Sequence, residues 1–165
     1  MFSIPELYQY MSMVRRRFFN KLSDLPWEEV VKNREASFLS MRNIMMHIID
    51  NEDWIVNYGV YGKRRETKPR PAEEYTSMKM VVDRLDEVEA RTRNYLKTAD
   101  EKEFARRVDL TFPTRSFNMT VEECIFQSFT EQLYHIGELI ALMWQDNVEP
   151  PQMQWFYNNP RQKTA

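Results

Sequence analysis

The sequence predicts an all-α protein, a four-helix bundle with a short extended or hairpin segment before its last helix. Three observations carry this. Four long stretches repeat apolar side chains at helical spacing. Glycine is scarce, three in 165 residues, which argues against an elaborate β architecture and against a Gly-rich phosphate loop. One stretch, 104–118, departs from the helical period, and within it Val108-Asp109-Leu110-Thr111-Phe112 alternates apolar and polar side chains before Pro113 interrupts it.

The first helix is expected over residues 4–22. Pro5 falls near its start, where proline costs little, and Leu7, Tyr8, Met11, Val14, Phe18 and Leu22 form its apolar face. Leu25-Pro26-Trp27 ends it. Ser37 is the expected cap of the second helix, which runs to residue 58 with Phe38, Met41, Ile44, Met45, Ile48, Ile49 and Ile55 facing inward. Gly59 and Gly62 then bracket a turn, and Lys63-Arg64-Arg65 with two nearby prolines reads as a solvated loop. The third helix is expected over 72–98, buried through Met78, Val81, Val82, Leu85, Val88, Thr92 and Leu96. Thr120 and Glu123 make a capping box for the fourth, which runs to residue 146 ahead of Pro150-Pro151. The tail carries Trp155, Phe156 and Tyr157 and is expected to pack on the bundle or on a second subunit.

Composition narrows the function classes. A chain of this length suits one domain with one core, spanning 1–165, and 42% hydrophobic residues suffice to build it. The net charge of −2 gives no reason to expect nucleic acid. No apolar run approaches the ~18 residues of a membrane span. The N-terminus carries Glu6 and lacks a signal-peptide core. The single cysteine, Cys124, excludes an internal disulfide and fits a reducing cytoplasm; it reads as a small buried hydrophobe. The methionines read as core filler.

The two histidines, His47 and His135, are the main functional clue. Glu131, His135 and Glu138 fall four and three residues apart and share one side of a helix. With about 100° per residue, the two carboxylates lie about 40° and 60° to either side of His135. Ile125, Phe129, Ile136, Ile140 and Met143 centre further round, so this polar stripe borders the apolar face. His47 holds a similar margin, near Ile44, Trp54 and Tyr58, with Asp50 three residues on. Neutral imidazoles and carboxylates suit a divalent metal, and two ligands from one helix plus one from a neighbour leave positions open for chemistry. A hydrogen-bonded structural histidine is the competing reading. A carboxylate-bridged dimetal site, suggested by His47-x-x-Asp50 and His135-x-x-Glu138, runs against the usual Glu-x-x-His order.

The run Thr130-Glu131-Gln132-Leu133-Tyr134-His135-Ile136-Gly137-Glu138, followed by Pro150-Pro151, resembles the last helix of the DinB/YfiT-like family. Asn43 to Trp54, containing His47, is similar to that family's other histidine segment. The resemblance implies an up-down-down-up four-helix bundle, usually a homodimer. It implies a divalent metal held by three histidines and an activity of the hydrolase or thiol-S-transferase kind on a small molecule, in some members with a low-molecular-weight thiol as cosubstrate. On this chain His47 and His135 match two ligands and Glu131 replaces the third. A His47-Glu131-His135 set is harder and more anionic, suited to Zn, Ni, Mn or Fe, with Glu138 or Asp50 as base or orienting group. The alternative is a non-catalytic dimeric bundle, stress-related or ligand-binding, with a degenerate site.

Overall fold

The computed structural model describes residues 3–62, 70–111 and 114–158. The basic run Lys63-Arg64-Arg65 and the Phe112-Pro113 end of the alternating segment lie outside them. The protein is mostly helical, with one small two-stranded sheet. No helix among the described residues is long and apolar enough to cross a membrane.

Helix α1 (Ile4–Ser23) opens on a capping box, in which Ser3 accepts from the Glu6 amide and the Glu6 carboxylate accepts from the Ser3 amide. A short α2 (Trp27–Val31), which the periodicity did not reveal, follows the break at Leu25-Pro26. Helix α3 (Met41–Glu52) is capped by Ser40, not Ser37. The loop before it holds Glu35 and Leu39 at positive φ. Its return is pinned by bonds from the Arg34 amide to the Leu39 carbonyl and from the Leu39 amide to the Ala36 carbonyl. Helix two therefore starts later than expected and frees Ser37 and Phe38 for another use.

From α3 the chain widens into a π-helix (Asp53–Val60). Gly59 lies inside it instead of in a turn. A Cβ there would meet Leu110 Cδ2 at 2.4 Å, so the glycine lets the hairpin lie down on this segment. After a 3-10 turn (Ala72–Glu74), Ser77 caps α4 (Met78–Leu96). The third helix thus begins six residues later than the sequence suggested. Asp100 caps a short α5 (Glu101–Ala105) in the stretch read as non-helical. The expected hairpin follows: β1 (Arg107–Thr111) pairs antiparallel with β2 (Ser116–Thr120), Val108 opposite Met119. Thr120 and Glu123 form the predicted capping box of α6 (Val121–Gln145), which stops where Asn147 turns to φ 56°. The last described element is α7 (Trp155–Asn158), whose Trp155 ring packs edge-on to Tyr10 at 5.0 Å. This seats Trp155 on the protein's own α1, while Phe156 and Tyr157 stay exposed.

Helices α1 and α3 each lie against both α4 and α6. Two apolar clusters fill the space between elements. The larger runs through Met11, Phe18, Met45, Leu85 and Leu139. The smaller lies under the hairpin and holds Ile55, Leu110, Val121 and Cys124, with Trp54 packed against it.

The core also contains a charged centre that composition and period did not disclose. Arg15, fully buried, donates to Glu52 Oε2 and Glu89 Oε1 at 2.6 Å each and to Gln132 Oε1 at 3.1 Å. Tyr8 and Thr92 donate to the other Glu52 oxygen, and Ser12 donates to Glu89. One guanidinium thus ties α1, α3, α4 and α6 together. Burial opposes ionisation of Glu89, yet Arg15 and the hydrogen bonds around it outweigh this and hold the carboxyl below its ordinary range.

A candidate metal centre between two helices

His47 comes from α3, and Glu131 and His135 come from successive turns of α6, the helix that α3 packs against. Among the described residues these three form the one group of metal-capable side chains that converges, with a donor atom from each lying within 4.8 Å of the others. Glu131 Oε2 stands 3.5 Å from His135 Nε2 and 4.0 Å from His47 Nε2. These separations are too long for good hydrogen bonds. They are near the ~3.4 Å donor spacing that a tetrahedral ion with bonds of about 2.1 Å would set. The residues present therefore fit a divalent cation, and small side-chain rotations would close the group on one.

The surroundings fix how the donors point. His135 Nδ1 lies 2.7 Å from Glu138 Oε2, so the proton sits on Nδ1 and the Nε2 lone pair faces Glu131 and His47. The other Glu138 oxygen accepts from Ser37 Oγ at 2.7 Å, and Gln127 Nε2 donates to Glu131 Oε1 at 3.0 Å. The Phe38 ring stacks on His47 at 4.2 Å and meets His135 edge-on at 5.2 Å. Desolvation first, and the neighbouring His135 second, lower the pKa of His47 against the pull of Glu131 and Glu138. His47 is thereby kept in the neutral form that ligates.

Three sequence expectations change here. His135 is 5% exposed and sits within the buried face of α6, not at its margin. The apolar centroid was misleading because α6 also carries apolar side chains on its outer side. The ring beside His47 is Phe38 and not the expected Trp54 or Tyr58, since the π-helix carries Trp54 to the cluster beneath the hairpin. Asp50 is outside the converging group and lies 3.4 Å from Arg84, which also grips Asp53 at 2.7 Å. Ser37 and Phe38 were missed as site residues, because a helix running to residue 58 took Ser37 as its cap and placed Phe38 in the core stripe. Cys124 is buried in the smaller apolar cluster, where desolvation raises its pKa. It is an inert thiol.

The model of the DinB superfamily matches residues 3–139. The chain belongs to the DinB superfamily. The crystal structure of a DinB-like protein from Bacillus cereus ATCC 10987 superposes with a TM-score of 0.70 at 19% sequence identity, covering 87% of this chain and 90% of that one. That likeness establishes a shared fold. A comparison with curated proteins finds no match. In this member of the superfamily the histidine pair is completed by a glutamate.

Proposed function

We infer that this protein is a metal-dependent enzyme acting on a small molecule, with His47, Glu131 and His135 as ligands of one divalent ion. The observation that carries the reading is the Glu138–His135 contact. It spends one imidazole nitrogen on a carboxylate and leaves the other aimed at Glu131 and His47. A divalent ion held there supplies Lewis acidity, which brings a water or thiol toward deprotonation at neutral pH. Hydrolysis and thiol-S-transfer, the latter with a low-molecular-weight thiol, are the two reactions this supports.

The chain's own residues have distinct parts. Glu138 is a positioning residue: it fixes the tautomer and ring angle of His135 and is itself fixed by Ser37. Gln127 orients Glu131 by occupying one of its oxygens. Phe38 shields one side of both imidazoles from water. Asp50, paired with Arg84, is left out of the reaction. The packing of α1 and α3 against both α4 and α6 supports a bundle with its site between facing helices, and the family resemblance adds the up-down-down-up order.

The test is a substrate panel run on metal-loaded and chelator-treated protein. It should pair activated esters and amides with electrophiles offered together with small thiols. Turnover that requires the metal and disappears in His47→Ala supports the reading. Turnover that is indifferent to chelation, or none across the panel with metal bound, overturns the catalytic part of it.

A further inference from the structure

Helix α1 carries no acidic residue between Glu6 and Asp24, but it carries four cations there: Arg15, Arg16, Arg17 and Lys21. Arg15 turns into the core. Arg16 and Arg17 turn the other way, into a groove between α1 and α4 where Arg93 of α4 joins them. Helices α1 and α3 each pack on α4 and α6, so this groove lies across the bundle from the metal centre between α3 and α6. It holds a cavity of about 540 Å³, within the ~300–1,000 Å³ of small-molecule sites. We propose that the groove binds a small organic phosphate monoester, its dianion set among Arg16, Arg17 and Arg93 and its apolar body running toward Pro5, Tyr8 and Leu96.

The cations are fixed from beneath. Glu89, 1% exposed, gives Oε1 to Arg15 and Ser12, and Oε2 to Arg16 at 2.6 Å and to Arg93 at 3.3 Å. Two guanidinia from different helices therefore stand side by side on one oxygen. Arg93 also donates to Ser12, and its Cζ lies 5.6 Å from the centre of the Tyr8 ring. Arg17 donates to Asn158, whose own amide donates to the Gln152 and Gln154 carbonyls at 3.0 and 2.8 Å. Ordering of these long side chains, a usual cost of binding, is thus largely met before a ligand arrives. A guanidinium has five N–H donors, and each of the three keeps some without a partner among the described residues.

Charge selects the ligand. Arg15, Arg16, Arg17 and Arg93 meet only Glu52, Glu89 and Asp86, so one positive charge is unmatched, and Lys97 adds another at the α4 end. Like charges side by side repel, and an anion between them relieves this. A phosphate dianion matches the surplus, and its oxygens suit guanidinia that arrive from two helices. The organic part is read from an adjoining cavity of about 220 Å³, which shares Gln9 and Arg93 with the first and is walled by Pro5, Tyr8 and Leu96. At the other end, beyond Asn20, the lining turns acidic at Asp24 and Glu149. That limits the site to a short ligand and disfavours a long polyanion.

The experiment is titration calorimetry of the full chain with 1-naphthyl phosphate in about 0.1 M salt, where diffuse surface attraction is largely screened. One saturable site per chain with Kd below about 1 mM is expected. Inorganic phosphate, without the apolar body, should bind at least ~10-fold more weakly. Arg93→Gln and Gln9→Glu should each weaken binding at least ~10-fold. Gln9 is exposed, so Gln9→Glu should keep the circular dichroism and unfolding temperature of the parent. Arg107→Gln, which removes an exposed arginine of the hairpin, should leave binding unchanged. Metal-loaded and chelator-treated protein should bind alike, because the groove is remote from His47. No saturable binding up to about 10 mM, binding lost on chelation, equal loss in Arg107→Gln, or binding that survives both groove substitutions overturns the proposal. Vesicles containing phosphatidic acid offer the same monoester at a lipid surface, and retention by them without binding of the soluble ester overturns it as well.

Discussion

Two polar clusters lie among the same helices and are built to opposite specifications. Around Arg15 every carboxylate is matched. One guanidinium meets Glu52, Glu89 and Gln132 within 3.1 Å, the hydroxyls of Tyr8 and Thr92 take up the second Glu52 oxygen, Ser12 shares Glu89 Oε1 with Arg15, and Arg16 takes Glu89 Oε2. Around His47 the atoms converge without satisfying one another: Glu131 stands 3.5 and 4.0 Å from two imidazole nitrogens that do not reach it as good donors. The first cluster leaves only Arg15 Nε without a partner, has no carboxylate oxygen to offer a ligand, and holds four helices in register. The unsaturated one contributes little to the apo fold and has bonding capacity to spare. Buried charge alone therefore does not mark a site; unfilled valence does.

That contrast can be broken most forcefully at Arg15. Arg15→Ala takes the counter-ion from buried Glu52 and leaves Glu89 to Arg16 and Arg93, and should cost about 3–5 kcal/mol of stability in a denaturant titration. His135→Ala should lower unfolding stability far less in the absence of metal, and should weaken metal affinity by 100-fold or more. If the two variants exchange phenotypes, the clusters have been assigned the wrong way round.

The next effect sharpens the role of the carboxylate behind the ligand. Glu138→Gln keeps the size of the side chain but removes the charge that holds the Nδ1 proton. Metal affinity should fall roughly 10–100-fold, the usual effect of losing such a partner, as measured by competition against a chromophoric chelator. An unchanged affinity would leave Glu138 a bystander.

The two clusters should also part company with pH. His47 has a lowered pKa, so its folded form favours the neutral ring. Stability and metal binding are full above its ordinary value of about 6.5 and decline as acid protonates it. Glu89 has a carboxyl pKa depressed by Arg15. Its stabilisation is full above the ordinary value near 4.3 and is lost as pH falls through the depressed one. Metal should therefore be released at mildly acidic pH while the helices persist, and cooperative unfolding should wait for stronger acid. A single coincident transition by metal release and circular dichroism would contradict this separation.

Cys124→Ser gives the smallest effect. A hydroxyl placed in the apolar cluster under the hairpin should cost about 1–3 kcal/mol and leave bound metal unchanged. Loss of metal in that variant would bring the thiol into the site.

Much of this was legible in the sequence, for identifiable reasons. Long amphipathic periods, the Thr120–Glu123 capping box and the alternating segment around Val108–Leu110 each carry a local signature, and each element formed. Glu131 and His135 were readable because helix geometry fixes their spacing. Pairing them with His47 needed the packing of α3 on α6, for which the family resemblance supplied the expectation. Phe38 and Ser37 were not readable, because left-handed Glu35 and Leu39 redirect the chain, and the local turn signal, Asn33 accepting from the Glu35 amide, does not fix where the helix starts. Arg15 had a faint signal that went unused. It interrupts the stripe Met11, Phe18, Leu22 at helical spacing, as Glu52 follows Ile48 and Ile49, and as Glu89 sits between Leu85 and Thr92. A charge on an apolar stripe in each of three helices is a pattern that asks for an internal ion pair.

The most direct test of the central claim is elemental analysis of protein purified without an affinity tag, with His47→Ala and His135→Ala prepared beside it. About one equivalent of a transition metal per chain is expected in the parent, with both variants depleted while their helical content is retained. A parent that takes up no metal even when offered Zn, Ni, Mn or Fe, or variants that bind it as well as the parent does, would contradict the account and leave His47, Glu131 and His135 as a structural contact between α3 and α6.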